Sequence, residues 1–166
     1  MRLARALAPA PALAPALVPL SAAGRQPLFL FGTLTDLDVL PYVLGRPVDL
    51  DAVEPAWLDG HRRVKVAGAC YPAIVPAPGW TVEGRLLRRA TRRDIARLNL
   101  FESEEYRAER RPVRDRAGAR HDAWVYVALD DVLRPVDECW HPEEWVREHK
   151  PAFVARCGAW LEGAAA

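Results

Sequence analysis

From Val53 to Leu87 the chain reads as a series of short β-like segments separated by proline and glycine, and this stretch limits the fold more than any other. Val53 to Leu58, Arg62 to Val66, Tyr71 to Val75 and Trp80 to Leu87 each have the length and residue types of a strand. Val64 and Val66 alternate with basic residues, and Val82 and Leu86 alternate with Glu83 and Arg85. Side chains on a strand point to alternate faces, so these segments should have one apolar and one wet face. Tyr71-Pro72 and Pro76-Ala77-Pro78-Gly79 mark a turn or edge region, because proline cannot donate to a β ladder.

The flanking sequence adds few helices. Leu28-Phe29-Leu30-Phe31 is a continuous apolar run, the pattern of a strand buried on both faces, and it stops at Gly32-Thr33-Leu34. Thr35 or Asp36 can cap a helix whose apolar positions are Leu37, Leu40, Val43 and Leu44, ending near Gly45 with Pro47 beyond. A second helix starts at Thr91, where Asp94 three residues on permits a reciprocal capping box. Strands follow around Tyr106 to Arg114 and His121 to Leu129, and a last helix after His141 carries Trp145, Phe153 and Trp160 toward the core. Many strands, few helices and no βαβ alternation give an α+β fold, with a small mixed β-barrel or sheet flanked by helices.

One domain, residues 27–166, accounts for the patterned part of the chain. Residues 1–26 are dominated by Ala, Leu and Pro, and read as a disordered leader. Arg2 and Arg5 ahead of apolar residues give it a superficial likeness to a secretory signal, but Pro9, Pro11, Pro15 and Pro19 oppose the helix such a signal prefers. No uninterrupted apolar run is long enough to span a membrane. The 23 basic and 22 acidic side chains nearly cancel, so neither a nucleic acid nor an anionic membrane is the expected partner, and the arginines from Arg85 to Arg120 read as a solvated face interleaved with acids. Cys70, Cys139 and Cys157 are an odd number without a repeated spacing, which points to a reducing cytoplasm rather than a disulfide framework. With His141 and His149, Cys139 and Cys157 match no zinc spacing, so no metal site is expected.

The chemistry concentrates in two places. On the second helix Ile95, Leu98 and Glu102 are spaced i, i+3, i+7 and share a face. An acid carried on an apolar face loses hydration, and the helix C-terminus adds negative potential, so both effects raise its pKa toward the range useful for proton transfer. Glu104 and Glu105 follow at once and are expected to be solvated neighbours of Glu102. The other place is the break at Phe31-Gly32-Thr33-Leu34, where a glycine after a buried strand can turn the backbone and offer N–H groups to a carboxylate or oxyanion. It lacks the glycine spacing of a nucleotide loop.

Five segments, in order, resemble one family. Phe29-Leu30-Phe31-Gly32-Thr33-Leu34 resembles the "F-x-Y-G-[ST]-L" opening of the gamma-glutamylcyclotransferase-like, or AIG2-like, family. Tyr71-Pro72-Ala73-Ile74 is similar to its "Y-P-A-[IL]", and Val82-Glu83-Gly84-Arg85-Leu86 to its "V-x-G-x-L". Leu98-Asn99-Leu100-Phe101-Glu102 with Glu105-Tyr106 resembles "L-D-x-F-E-x-x-E-Y", and Ala123-Trp124-Val125-Tyr126 the closing "A-x-x-Y". The resemblance covers about residues 27–130. It implies a mixed barrel with a cleft beside the glycine loop. It also implies a cofactor-free enzyme that cyclises a small gamma-glutamyl substrate to 5-oxoproline and releases an amine. In that resemblance Glu102 is the catalytic acid/base, Phe31, Gly32, Thr33 and Leu34 meet the substrate, and Tyr106 lies near the site. Phe31 replaces the family's tyrosine, Asn99 its aspartate and Ser103 its glycine or aspartate, while Arg107-Ala108-Glu109-Arg110-Arg111 departs from its spacing. These departures leave a second expectation beside the enzyme: a catalytically inactive domain of the same fold that binds a small metabolite. The leaving group and the oligomeric state stay open.

Overall fold

The computed structural model describes residues 17–20 and 25–164, with side chains through Cys157. Its strands are β1 Gln26–Leu30, β2 Val53–Val66, β3 Pro72–Ala90, β4 Tyr106–Asp115, β5 Arg120–Ala128 and β6 Pro135–Cys139. Its helices are α1 Val39–Leu44, α2 Arg92–Glu102, α3 Pro142–Glu148 and α4 Lys150–Ala164. The sheet runs β3-β1-β5-β4-β2, and β2 pairs again with β3, closing a five-stranded barrel to which β6 adds on the edge of β2. All pairings are antiparallel except β1 with β5, so the barrel is mixed, as expected.

The apolar run in β1 follows from its position between two cores. Phe29 and Phe31 pack with Leu58, Ile74, Val82, Leu86, Val113 and Val125 in one cluster. Leu28 and Leu30 alternate with them and pack in the other, with Leu40, Leu44, Ile95, Leu98, Trp145 and Phe153 from the helices. A strand apolar on both faces therefore joins the barrel interior to the helical layer.

The four short β segments expected between Val53 and Leu87 are two long strands. Asp59 lies opposite Thr81 and His61 opposite Pro76, so residues 77–80 face a single partner residue and bulge from β3 without ending it. The proline-glycine cluster expected as a turn is this bulge, with Gly60 and Gly79 at positive φ on the two sides. Gly84 has a different task. A Cβ there would lie 2.2 Å from the Leu30 carbonyl oxygen and inside contact distance of the Phe29 ring, so β3 crosses β1 too closely for any side chain.

The helices largely follow the capping signals. Thr91 and Asp94 form the capping box at the start of α2: Asp94 accepts from the Thr91 N–H at 2.9 Å and its own N–H donates to the Thr91 hydroxyl at 3.2 Å. Arg46 also grips the buried Asp94 carboxylate with two hydrogen bonds of 2.8 Å, tying α1 to α2. The helix expected to be capped by Thr35 or Asp36 starts later, at Val39. Thr33–Thr35 is a 3-10 turn, and Asp36 then accepts from the N–H groups of Asp38 and Val39 before α1 ends at Gly45, φ 64°. The single last helix expected after His141 is broken at His149, whose φ of −120° leaves the helical region. The side chain of Trp160 lies outside the described residues. Strand β6, mostly exposed, had no apolar alternation to announce it.

Most of the Ala/Pro-rich leader also lies outside the described residues, but residues 17–20 pack on the domain. Val18 is 2% exposed, and its N–H and C=O both bond to the Asn99 side chain, at 3.2 and 2.9 Å. Among the described residues no helix is long and apolar enough to cross a membrane.

Candidate functional site

The end of β1, the hairpin tip at Tyr71-Pro72 and the C-terminus of α2 enclose a cavity of about 190 Å³. Every residue expected at the site lines it: Phe31, Gly32, Thr33, Leu34, Glu102 and Tyr106. Tyr71, Glu105, Tyr126 and Phe153 add to its polar and aromatic wall, with Phe29 and Phe101.

Glu102 arrives there by the helical arithmetic of the sequence. Ile95 and Leu98, 1% and 0% exposed, anchor the buried face of α2, and Glu102 is the last residue on that face before the helix ends. Burial, and then the negative charge of Glu105, push its pKa from the ordinary carboxyl range up to about 8. Its carboxyl makes no hydrogen bond or ion pair among the described residues, and no Lys, Arg or His lines the cavity to offset the cost of ionising it.

The glycine loop takes its shape from crowding rather than from a left-handed backbone. Gly32 has φ −112°, and a Cβ there would stand 3.0 Å from two ring carbons of Pro72. Its carbonyl accepts from the Thr35 N–H at 3.0 Å and from the Thr35 hydroxyl at 2.7 Å, closing the short turn. The N–H groups of Thr33 and Leu34 begin that turn and make no backbone hydrogen bond among the described residues, so they remain available to an acceptor in the cavity. Behind the loop Arg63 donates to the Phe31 carbonyl at 2.7 Å while its guanidinium stacks over Trp140 at 5.1 Å. The residue read from sequence as part of a strand's wet face is thus a brace for the loop.

Glu105 departs from the expectation of a solvated neighbour. Glu104 is exposed, but Glu105 reaches the cavity and accepts the Tyr71 hydroxyl at 3.1 and 3.0 Å. Burial first, then Glu105, raises the Tyr71 pKa to about 12, so the phenol stays a donor. Burial likewise raises the Tyr106 phenol above its ordinary range, and its hydroxyl donates to the Pro72 carbonyl at 3.3 Å. The Tyr126 hydroxyl donates to Asn99 Oδ1 at 2.8 Å, so the same amide that clasps Val18 also holds a cavity-lining phenol. Phe31, without a hydroxyl, is packed in the barrel cluster and gives the cavity only its ring.

The C-terminal aromatic segment covers the site. Phe153 of α4 lines the cavity and packs edge-on against Phe101 and Trp145, with centroids 6.1 and 5.3 Å apart. Nothing in the sequence around Phe153 signals this role, because the contact depends on how α4 packs beside α1 and α3 and brings the ring to Phe101. The three cysteines are free thiols, and among the described residues no group of three His, Cys, Asp or Glu side chains could hold a metal ion.

Known proteins resemble this chain in sequence or in fold. AIG2-like protein A of Arabidopsis thaliana is 28% identical over 132 residues, 76% of each chain. AIG2-like protein D of the same plant is 29% identical over 129 residues, covering 76% of this chain and 83% of its own. A solution structure from Arabidopsis thaliana superposes with a TM-score of 0.62 at 23% identity, over 87% of this chain and 88% of that one. A structure titled gamma-glutamyl cyclotransferase has a TM-score of 0.51 at 12% identity, over 68% and 72% of the two chains, and shares the fold. The family described as "Gamma-glutamyl cyclotransferase, AIG2-like" matches residues 28–147, from the strand that opens the barrel into α3, and the chain belongs to that family.

Proposed function

We propose that this protein cyclises a gamma-glutamyl amide or amine conjugate to 5-oxoproline and releases the amine. The observation that carries the reading is a half-buried carboxyl, Glu102, sharing a small cavity with the unpaired N–H groups of the Thr33-Leu34 turn and, among the described residues, with no basic side chain beside it.

Such a site suits a reaction in which nucleophile and electrophile are already joined. The substrate's α-nitrogen attacks its own γ-carbonyl carbon, and holding the chain curled supplies much of the effective concentration. Glu102, ionised, takes a proton from the α-ammonium. The new C–N bond closes a five-membered ring, and the carbonyl oxygen becomes an oxyanion received by the Thr33 and Leu34 N–H groups. Glu102 then gives its proton to the leaving nitrogen as the old C–N bond breaks. Glu102, ionised again, then takes the second proton from the ring nitrogen and passes it to the departing amine, so the α-nitrogen loses two protons, the leaving nitrogen gains two, and the products are a neutral lactam and an ammonium ion with Glu102 returned to its ionised form. A carboxyl with a pKa of about 8 sits near the pKa of an α-amine, which keeps both transfers close to balanced.

The test is product formation. The protein incubated with gamma-glutamyl dipeptides and gamma-glutamyl alkylamines should yield 5-oxoproline, and Glu102→Gln should abolish it while ligand binding persists. Turnover in that variant at the parent rate refutes the assignment. One observation favours the inactive binding domain instead: Phe31 supplies no hydroxyl to the cavity. Saturable binding of gamma-glutamyl compounds without product from the parent protein would establish that reading.

A further inference from the structure

Glu105 is a carboxylate placed in the cavity without a cation to match it. Its one side-chain donor among the described residues is the Tyr71 hydroxyl, which bridges both of its oxygens. A carboxylate has about four acceptor positions, so one phenol leaves most of its capacity open toward the cavity. The phenol itself is held in place, since the Tyr71 ring tilts against Tyr106 of β4 with centroids 6.5 Å apart. The backbone of Glu105 is fixed as well, because its carbonyl accepts the Leu129 N–H at 2.9 Å beyond the end of β5. A mobile surface acid would have none of these restraints.

Glu102 and Glu105 therefore give the cavity two acidic groups and no base, a lining suited to a ligand that brings a positive charge. The groups that face Glu102 are Glu105 on the turn after α2, Tyr71 before β3, Tyr106 of β4 and Tyr126 of β5. The Thr33-Leu34 turn and Phe153 of α4 bring nothing ionisable. Among the described residues no cation lines the cavity, which leaves the ligand to bring the neutralising charge.

From this arrangement we infer that Glu105, steadied by Tyr71, is the specificity residue that receives the substrate's α-ammonium group, so that the site selects gamma-glutamyl compounds whose α-amine is unblocked and charged. The inference deepens the proposed cyclisation and rests on it for the identity of the ligand. Glu105 holds the ammonium through an N–H that stays on nitrogen, leaving Glu102 free to take a proton that departs. The two carboxyls thus divide binding from proton transfer.

The experiment measures binding by calorimetry in the Glu102→Gln background, where turnover does not interfere. The probes are gamma-glutamyl-butylamide and its N-acetyl derivative, which has the same shape at the γ-carbonyl but no α-ammonium. The free-amine probe should bind about 10- to 100-fold more tightly, as a charge-assisted hydrogen bond provides. Adding Glu105→Gln should remove that preference by weakening only the free-amine probe, and Glu105→Asp should restore part of it. Thermal unfolding of each variant checks that the fold is retained. A preference that survives Glu105→Gln, or an equal loss for both probes, overturns the inference, as does failure of both probes to bind. If the parent protein makes 5-oxoproline while the preference is insensitive to Glu105, this inference falls and the cyclisation stands. If the preference depends on Glu105 but no product forms, the cyclisation falls and the ammonium site stands.

Discussion

Replacing Glu102 by glutamine should make the folded protein more stable, by an amount that grows with pH. An unfolded chain ionises this carboxyl at its ordinary value of 4.5, whereas the folded chain holds it neutral until about 8. Below pH 4.5 both states bind the proton and the group contributes nothing against folding. Between 4.5 and 8 the unfolded state has released it and the folded state has not, so stability falls by about 1.4 kcal/mol per pH unit. At pH 7, roughly 2.5 units above the ordinary value, the parent has lost about 3 kcal/mol, and above pH 8 the loss levels off near 5 kcal/mol. Glutamine has similar size and no proton to lose, so the variant escapes this slope. Urea unfolding of parent and variant from pH 4.5 to 9 should give curves that nearly meet at the acid end and diverge toward pH 8. A constant difference across that range would refute the placement of Glu102 in a desolvated site. Such a penalty in a domain of typical stability is a reason to expect that the carboxyl serves something other than folding.

Other consequences can be checked independently. In the proposed reaction kcat/KM should rise about tenfold per pH unit below pH 8, as the free protein ionises Glu102, and fall again above it as the substrate's α-ammonium loses its proton; a flat profile between pH 6 and 8 excludes Glu102 as the titrating base. Gly84→Ala should destabilise the barrel by about 3 kcal/mol in denaturant unfolding, because its Cβ would overlap the Leu30 carbonyl oxygen and the Phe29 ring. Asn99→Asp should loosen residues 17–20 by about 2 kcal/mol, since it sets a carboxylate against the Val18 carbonyl. Hydrogen exchange at Val18 should report that loss, with protection unchanged in β1 and β5.

What the sequence disclosed was what local rules govern. The spacing of Ile95, Leu98 and Glu102 holds because all three belong to one helix, and helical geometry alone puts them on one face. Thr91 and Asp94, Gly45 after α1, and the apolar run of β1 are legible for the same reason. The rest depends on partners distant in the chain. Glu105 looks like a surface acid until Tyr71, 34 residues earlier, is folded against it. The bulge at residues 77–80 is indistinguishable from a turn unless β2 is known to pair on both sides of it. Residues 17–20 carry no periodicity and are ordered by the amide of Asn99. Strand β6 exists because β2 has a free edge, and its own sequence, Pro135-Val136-Asp137-Glu138-Cys139, has too little apolar character to signal it.

The parallel seam between β1 and β5 sets the order in which the molecule can be completed. Leu28 lies beside Trp124 and Phe29 beside Val125, so the first strand waits for a partner made nearly a hundred residues later. Pairings this remote in sequence slow folding, because the loop must close before any contact rewards it. Phe153 is added later still. A growing chain therefore emerges with its glycine turn and its acidic helix end already synthesised but with no chamber between them, and the hollow is walled only once Phe153 of α4 has left the ribosome.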